Sequence, residues 1–138
     1  MNTFEKIQKI AKDLGIRAWP DVYSGKDADR PERWITYNFS YINGGLFGDD
    51  QPLAVVHSVQ VHLFLPANKN FLSIQNEIRD KMFEAGFTFP IITVFIDDIT
   101  TANTGTNRLR HIIFEAEIED EEFYTGAYTE DASLTFNN

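Results

Sequence analysis

Three stretches of the chain alternate apolar and polar residues with period two, and that pattern constrains the fold more than any other feature. From Trp34 onward Ile35, Tyr37, Phe39 and Tyr41 alternate with Thr36, Asn38 and Ser40, which in an extended strand gives one apolar and one polar face. Val55 to Leu65 resumes the alternation, with Val55, Val59, Val61, Leu63 and Leu65 on one face and Val56, Ser58, Gln60, His62 and Phe64 on the other. That second face is only partly polar, so it too can be covered. In Arg108 to Ile118, Ile112, Phe114, Ala116 and Ile118 face inward while Ile113, Glu115 and Glu117 face out.

Two segments switch to helical spacing. Phe4, Ile7, Ile10, Ala11 and Leu14 predict a helix over Thr3 to Leu14, with Thr3 as its cap and Gly15 as its stop. Phe71, Ile74, Ile78, Met82 and Ala85 predict a second over Asn70 to Ala85, ended by Gly86. Ile91 to Ile96 is β-branched and aromatic and reads as a strand closed by Asp97 and Asp98, and a short edge strand fits near Arg17 to Trp19. Between these lie a Gly/Asp/Pro loop over 24–33, a protruding hairpin tip over Asn43 to Pro52, and a second long loop over 99–108. No βα unit repeats, so the expected fold is α+β: an antiparallel sheet of four or five strands with two helices packed on one face. Residues 1–122 read as one domain, and 123–138 as an acidic tail that orders only against a partner.

Composition removes several functions. The absence of cysteine excludes disulfides, thiolate nucleophiles and Cys-type zinc sites. A formal net charge of -9 repels phosphate backbones over most of the surface, which disfavours sequence-specific nucleic-acid binding. Charges interrupt the apolar pattern of the N-terminus, so neither a signal peptide nor a membrane span is expected.

No catalytic constellation emerges either. His57 and His62 lie five apart in one predicted strand and point to opposite faces, so they cannot share an ion without a bulge. His111 could pair with one of them across strands, although histidines on strands ordinarily serve as polar or hydrogen-bonded surface groups. Asp49 with Asp50 and Asp97 with Asp98 read as solvated turn residues beside loops. The Gly-rich Asn43 to Gly48 lacks the Lys-Ser/Thr ending of a phosphate loop, and no G-x-S-x-G elbow exists. The chain is expected to be no enzyme and to need no cofactor or metal.

Charge and aromatic content point to assembly instead. Arg17, Lys26, Arg30 and Arg33 make the N-terminal third basic, whereas Glu115 to Glu122 holds six acids in eight positions. A head-to-tail homo-oligomer brings such unlike patches together, because heterologous contacts join different surfaces of identical subunits. Twelve Phe, five Tyr and two Trp supply anchors for core or interface.

The segments Trp34 to Tyr41, Ser58 to Phe89 and Arg108 to Ile118, taken in order, resemble the tail terminator (tail completion, head-tail joining) proteins of long-tailed bacteriophages and prophages. The features that carry the likeness are Tyr37 and Tyr41 on an alternating strand, then Gln60, Val61, Leu63 and Phe64. Gly86 and Phe87 close a helix, and Arg110 and Phe114 sit on the second strand of a closing hairpin. The resemblance implies a structural virion protein forming a ring, commonly hexameric, on the head-proximal end of the tail tube. It would stop tube polymerisation and meet the head-tail connector protein, with the host cytoplasm as the site of assembly and no membrane partner. Arg30, Arg33, Leu46, Phe47, Thr104, Arg108, Glu119 and Glu121 are the expected contact residues. Neck proteins of the connector share much of the pattern. Outside that class, a ligand-binding or enzymatic domain would use a cleft lined by Tyr37, His62 and Asp97, and a nucleic-acid module would need the basic N-terminal third on one continuous face.

Overall fold

The structure, a computed structural model, describes residues 1–44, 47–48, 51–52, 55–101 and 105–120. In chain order the elements are α1 (Thr3–Asp13), β1 (Ala18–Pro20), β2 (Trp34–Gly44), β3 (Phe47–Gly48), β4 (Gln51–Pro52), β5 (Val55–Pro66), α2 (Leu72–Glu84), β6 (Ile91–Thr101) and β7 (Gly105–Asp120). Among the described residues the three alternating stretches become neighbours in a five-stranded sheet ordered β1-β2-β5-β7-β6, and β3 pairs with β4 separately.

The fold is α+β, with five strands in the sheet and two helices, but the sheet is mixed rather than antiparallel. β1 runs parallel to β2, Ala18 facing Ile35 and Pro20 facing Tyr37, while the β2–β5, β5–β7 and β7–β6 pairs are antiparallel. The connection explains the direction. A parallel pair needs a crossover of about a dozen residues or more, and residues 21–33, with a 3-10 turn at Asp27–Asp29, return the chain to the end where β1 began.

One core row crosses four strands, Tyr37 to Val61 to Phe114 to Ile92. The apolar residues of the helices, Ile7, Ile10 and Ala11 on α1 and Ile74, Ile78 and Met82 on α2, join the same buried cluster as Tyr37, Val61 and Phe114. Phe4 anchors α1 by meeting Tyr37 edge-on at 4.8 Å and stacking on Phe39 at 4.4 Å. The chain turns out of α2 through Gly86, whose φ of +104° favours a residue without Cβ, and Phe87 then enters the core.

Several boundaries differ from the sequence expectation. Asn2, not Thr3, caps α1: its side chain accepts from the Glu5 amide at 2.9 Å and Glu5 reaches back to the Asn2 amide, a reciprocal capping box. Thr3 is instead buried, its hydroxyl 2.7 Å from Nδ1 of His57. β2 runs past Tyr41 to Gly44 with a bulge between Phe39 and Tyr41, and Phe47–Gly48 pairs with Gln51–Pro52, so much of the expected hairpin tip is ladder. Asp97 and Asp98 do not close β6. The strand continues to Thr101 opposite Gly105, because Ile99, Thr100 and Thr106 favour extended backbone and Arg108 Nε lies 3.2 Å from Asp98 across the ladder. The expected second long loop is thereby mostly hairpin. Residues 121–138, including the acidic tail, lie outside the described residues.

Candidate functional site

On the face of the sheet opposite Tyr37, alternation places a second set of side chains, whose buried members Trp34 and Leu109 belong to a cluster separate from the core. Register aligns Trp34, Phe64, His111 and Phe95 in one row across four strands. The rings follow that row: Trp34 stacks on Phe64 at 5.0 Å, Phe64 on His111 at 4.3 Å, and Phe95 lies 6.1 Å from His111. At the β1 end Trp19, Trp34 and Leu109 form a small buried cluster of their own, with Tyr23 against it. Arg17 covers the Trp19 ring at 4.8 Å and Arg30 the Trp34 ring at 4.9 Å, contacts in which a guanidinium is held by the electron-rich ring face.

Beside this row runs a hydrogen-bonded chain spanning β2, β5, β7 and β6. His62 Nε2 lies 3.0 Å from Asn38 Oδ1, His62 Nδ1 lies 2.7 Å from His111 Nε2, and His111 Nδ1 lies 2.8 Å from Asp97 Oδ2. Asn38 Nδ2 donates to the Phe39 carbonyl at 3.3 Å, which leaves Oδ1 to accept from His62 Nε2–H. The 2.7 Å contact between His62 Nδ1 and His111 Nε2 and the 2.8 Å contact between His111 Nδ1 and Asp97 continue the chain, with the donor at each set by the histidine tautomers. Each side chain fixes the orientation of the next, so the four strands are tied together by polar contacts where the row of rings ends.

Burial and the neighbouring His111 charge push His62 down to about 4. The folded protein therefore keeps His62 neutral where an unfolded chain, near 6.5, binds a proton. The unfolded state binds more protons between those values, so stability is full above about pH 6.5 and falls as pH drops towards 4. Allowing for solvent screening of this partly open group, the expected loss is on the order of 1–2 kcal/mol. Urea midpoints at pH 7 and pH 4.5, compared between the natural chain and His62→Gln, check it: the variant should lose less on acidification.

The structure separates the expected contact residues into two ends of the sheet. Arg30 and Arg33 precede β2, and Arg108 is exposed near the start of β7, at the end where β5 stops. Glu119 is exposed at the far end of β7, opposite Val56. Phe47 lies in β3 opposite Pro52, and Leu46, Thr104 and Glu121 fall outside the described residues. The alternative cleft of Tyr37, His62 and Asp97 does not form. Tyr37 points into the core and takes a hydrogen bond from Gln8 Nε2 at 2.6 Å, whereas His62 is on the other face and reaches Asp97 only through His111. Opposite parity along β2 and β5 explains the separation. His57 and His62 do point to opposite faces, and among the described residues no three His, Asp or Glu side chains converge as metal ligands would.

A concavity lies at the β1 edge. It has a volume of about 610 Å3 and lies between α1 and β1, with Gln8, Lys9 and Lys12 on one side and Ile16, Arg17 and Trp19 on the other. Among the described residues no helix is long and apolar enough to cross a membrane. No protein-family model matches the chain, and no curated protein matches it.

Proposed function

We propose that the chain is a structural protein of a phage or prophage virion, a tail terminator that caps the tail tube as a ring and forms the joint to the head connector. The observation that carries this reading is the polarity of the sheet. Arg17, Arg33, Arg108 and Arg110 outnumber Glu32, Asp97 and Asp98 at or just before the end where β2 begins and β5 stops, and Glu115, Glu117 and Glu119 follow one another towards the other end of β7. A subunit standing with its strands along a ring axis therefore offers unlike charged ends to two unlike partners, the tube below and the connector above, as a joint protein must. The segments on which the resemblance rests also form one unit: β2, β5 and β7 are consecutive in the sheet, and α2 with Phe87 packs into their core.

In this reading both helices lie on the Tyr37 face, which leaves the face of rings and histidines open to a neighbour or to the tube. An acidic subunit also suits a ring through which DNA passes, because the lumen does not grip phosphate. The assembled protein resides in the virion, and assembly takes place in the bacterial cytoplasm.

Capping tests the role. Titrating the chain into polymerising tail-tube protein of the same virion should shorten the tubes in proportion to the amount added, with a ring visible at one end by negative-stain microscopy. Tube lengths independent of the added chain would contradict it.

A further inference from the structure

Residues 121–138, which follow β7, carry Glu121, Glu122, Glu130 and Asp131 and neither Lys nor Arg, and Phe123 and Tyr124 come directly after the first acid pair. Two acids followed by two aromatic rings are complementary to a surface with cations at its rim and apolar contact between them.

Such a surface lies on the helical side of the fold. A furrow of about 320 Å3 runs between α1 and α2, with Ile10 and Ala85 in it and Lys6, Lys9 and Lys81 around it. Asp13 and Glu84 are the carboxylates on its walls. Asp13 is already engaged: Lys9 Nζ bonds its Oδ2 at 2.9 Å, and that bond, with the charges of Lys81 and Lys12, holds the Asp13 carboxyl below the usual range. Among the described residues no carboxylate pairs with Lys6 or Lys81. Cations therefore prevail at this furrow in a chain whose net charge is -9.

Topology delivers the acidic segment to the same place. Ile118 of β7 faces His57 of β5, and the hydroxyl of Thr3, the first residue of α1, lies 2.7 Å from His57 Nδ1. Ile118 also lies against the end of α2, where a Cβ on Gly86 would meet its Cδ1 at 3.7 Å. The strand thus passes the start of α1 and the end of α2 just before it stops at Asp120. Met1 and Ala85, at those two helix ends, both line the furrow. Three residues separate Ile118 from Glu121, and extended chain covers about 10 Å in three residues, roughly the spacing of packed layers.

The tether decides which copy is occupied. A short linker holds its segment at an effective concentration on the order of millimolar, whereas an exposed ion pair adds at most about 1 kcal/mol. A contact this weak closes within one chain before it closes between chains.

We propose that residues 121–124 fold back into the α1–α2 furrow of their own chain, with Glu121 and Glu122 at Lys6 and Lys81 and the Phe123 ring over Ile10 and Ala85. The partner against which the acidic segment orders is then the body of the same molecule, and the furrow stays closed to other proteins until the segment is displaced. The contact is made inside one chain and stands independently of ring assembly.

The natural chain has no cysteine, so Thr125→Cys introduces a single thiol for a nitroxide, which broadens the amide signals of residues near it. In the full-length chain the signals of Lys6, Lys9, Lys81 and Ala85 should broaden, and more than that of Leu72 at the other end of α2. A mixture of nitroxide-bearing unenriched chain with isotope-enriched chain lacking the nitroxide should show no broadening. Glu121→Lys with Glu122→Lys should reduce the broadening about fivefold, and adding Lys6→Glu with Lys81→Glu to that variant should restore most of it. None of these side chains belongs to the buried core, so the fold is kept. Unbroadened signals at both helix ends, broadening confined to another face, or equal broadening in the mixture would each overturn the proposal.

Discussion

Phe114→Ala is expected to lower the stability of the folded chain by about 3–5 kcal/mol. Phe114 is fully buried at the centre of β7, between Val61 of β5 and Ile92 of β6, and belongs to the cluster that both helices enter. Truncation removes the ring from contacts on both neighbouring strands, and backbone ladders on either side prevent the strand from closing inward over the cavity. A domain of this kind has about 5–15 kcal/mol in total, so the variant would sit near the edge of folding. The urea midpoint should fall with little change in slope. A loss under 1 kcal/mol would mean that β7 is not at the centre of the core.

The second large effect lies on α2. Ile78→Ala should cost about 2–5 kcal/mol, while Leu72→Ala on the same helix should stay within about 0.5 kcal/mol. Ile78 is fully buried under the helix, and Leu72 is 57% exposed at its first turn. Both substitutions raise helix propensity slightly, so only burial distinguishes them. Equal losses at the two positions would place the wrong face of α2 against the sheet.

Much of this architecture was legible because period-two alternation is a strong physical signal. Tyr37, Val61 and Phe114 were each placed on an inward face from local pattern alone, and they meet in one row. Ile7, Ile10, Ile74, Ile78 and Met82 were likewise legible from helical spacing and do join the core. The direction of β1 was not, because a three-residue strand carries no periodicity and its orientation is set by the length of the connection that follows. The Asp97–Asp98 pair misled, since two acids suggest a turn, whereas here Asp97 meets His111 and Asp98 meets Arg108 across the ladder.

The site was less legible than the fold for a related reason. The opposite facing of His57 and His62 follows from parity, but their partners depend on register between strands far apart in sequence. His111 meets His62 across β5 and β7, and Asn38 and Asp97 end the chain from β2 and β6. No local spacing encodes that alignment. Tyr37, His62 and Asp97 were grouped as residue types suited to a cleft, and the same parity rule separates Tyr37 from the other two. The uninterrupted run Ile91 to Ile96, in which Ile91, Val94, Phe95 and Ile96 are exposed, reads equally as a buried strand until the sheet order shows that β6 is an edge.

Closure into a ring is measured most directly as mass by light scattering across a concentration series at low and moderate salt, with negative-stain microscopy of the largest species. The expected result is a species of discrete mass, a whole multiple of the 15.8 kDa chain with six as the multiple the resemblance implies, seen as a ring with a central hole and weakened by salt. A strict monomer at every concentration and salt, or an open filament that grows without limit, would contradict it.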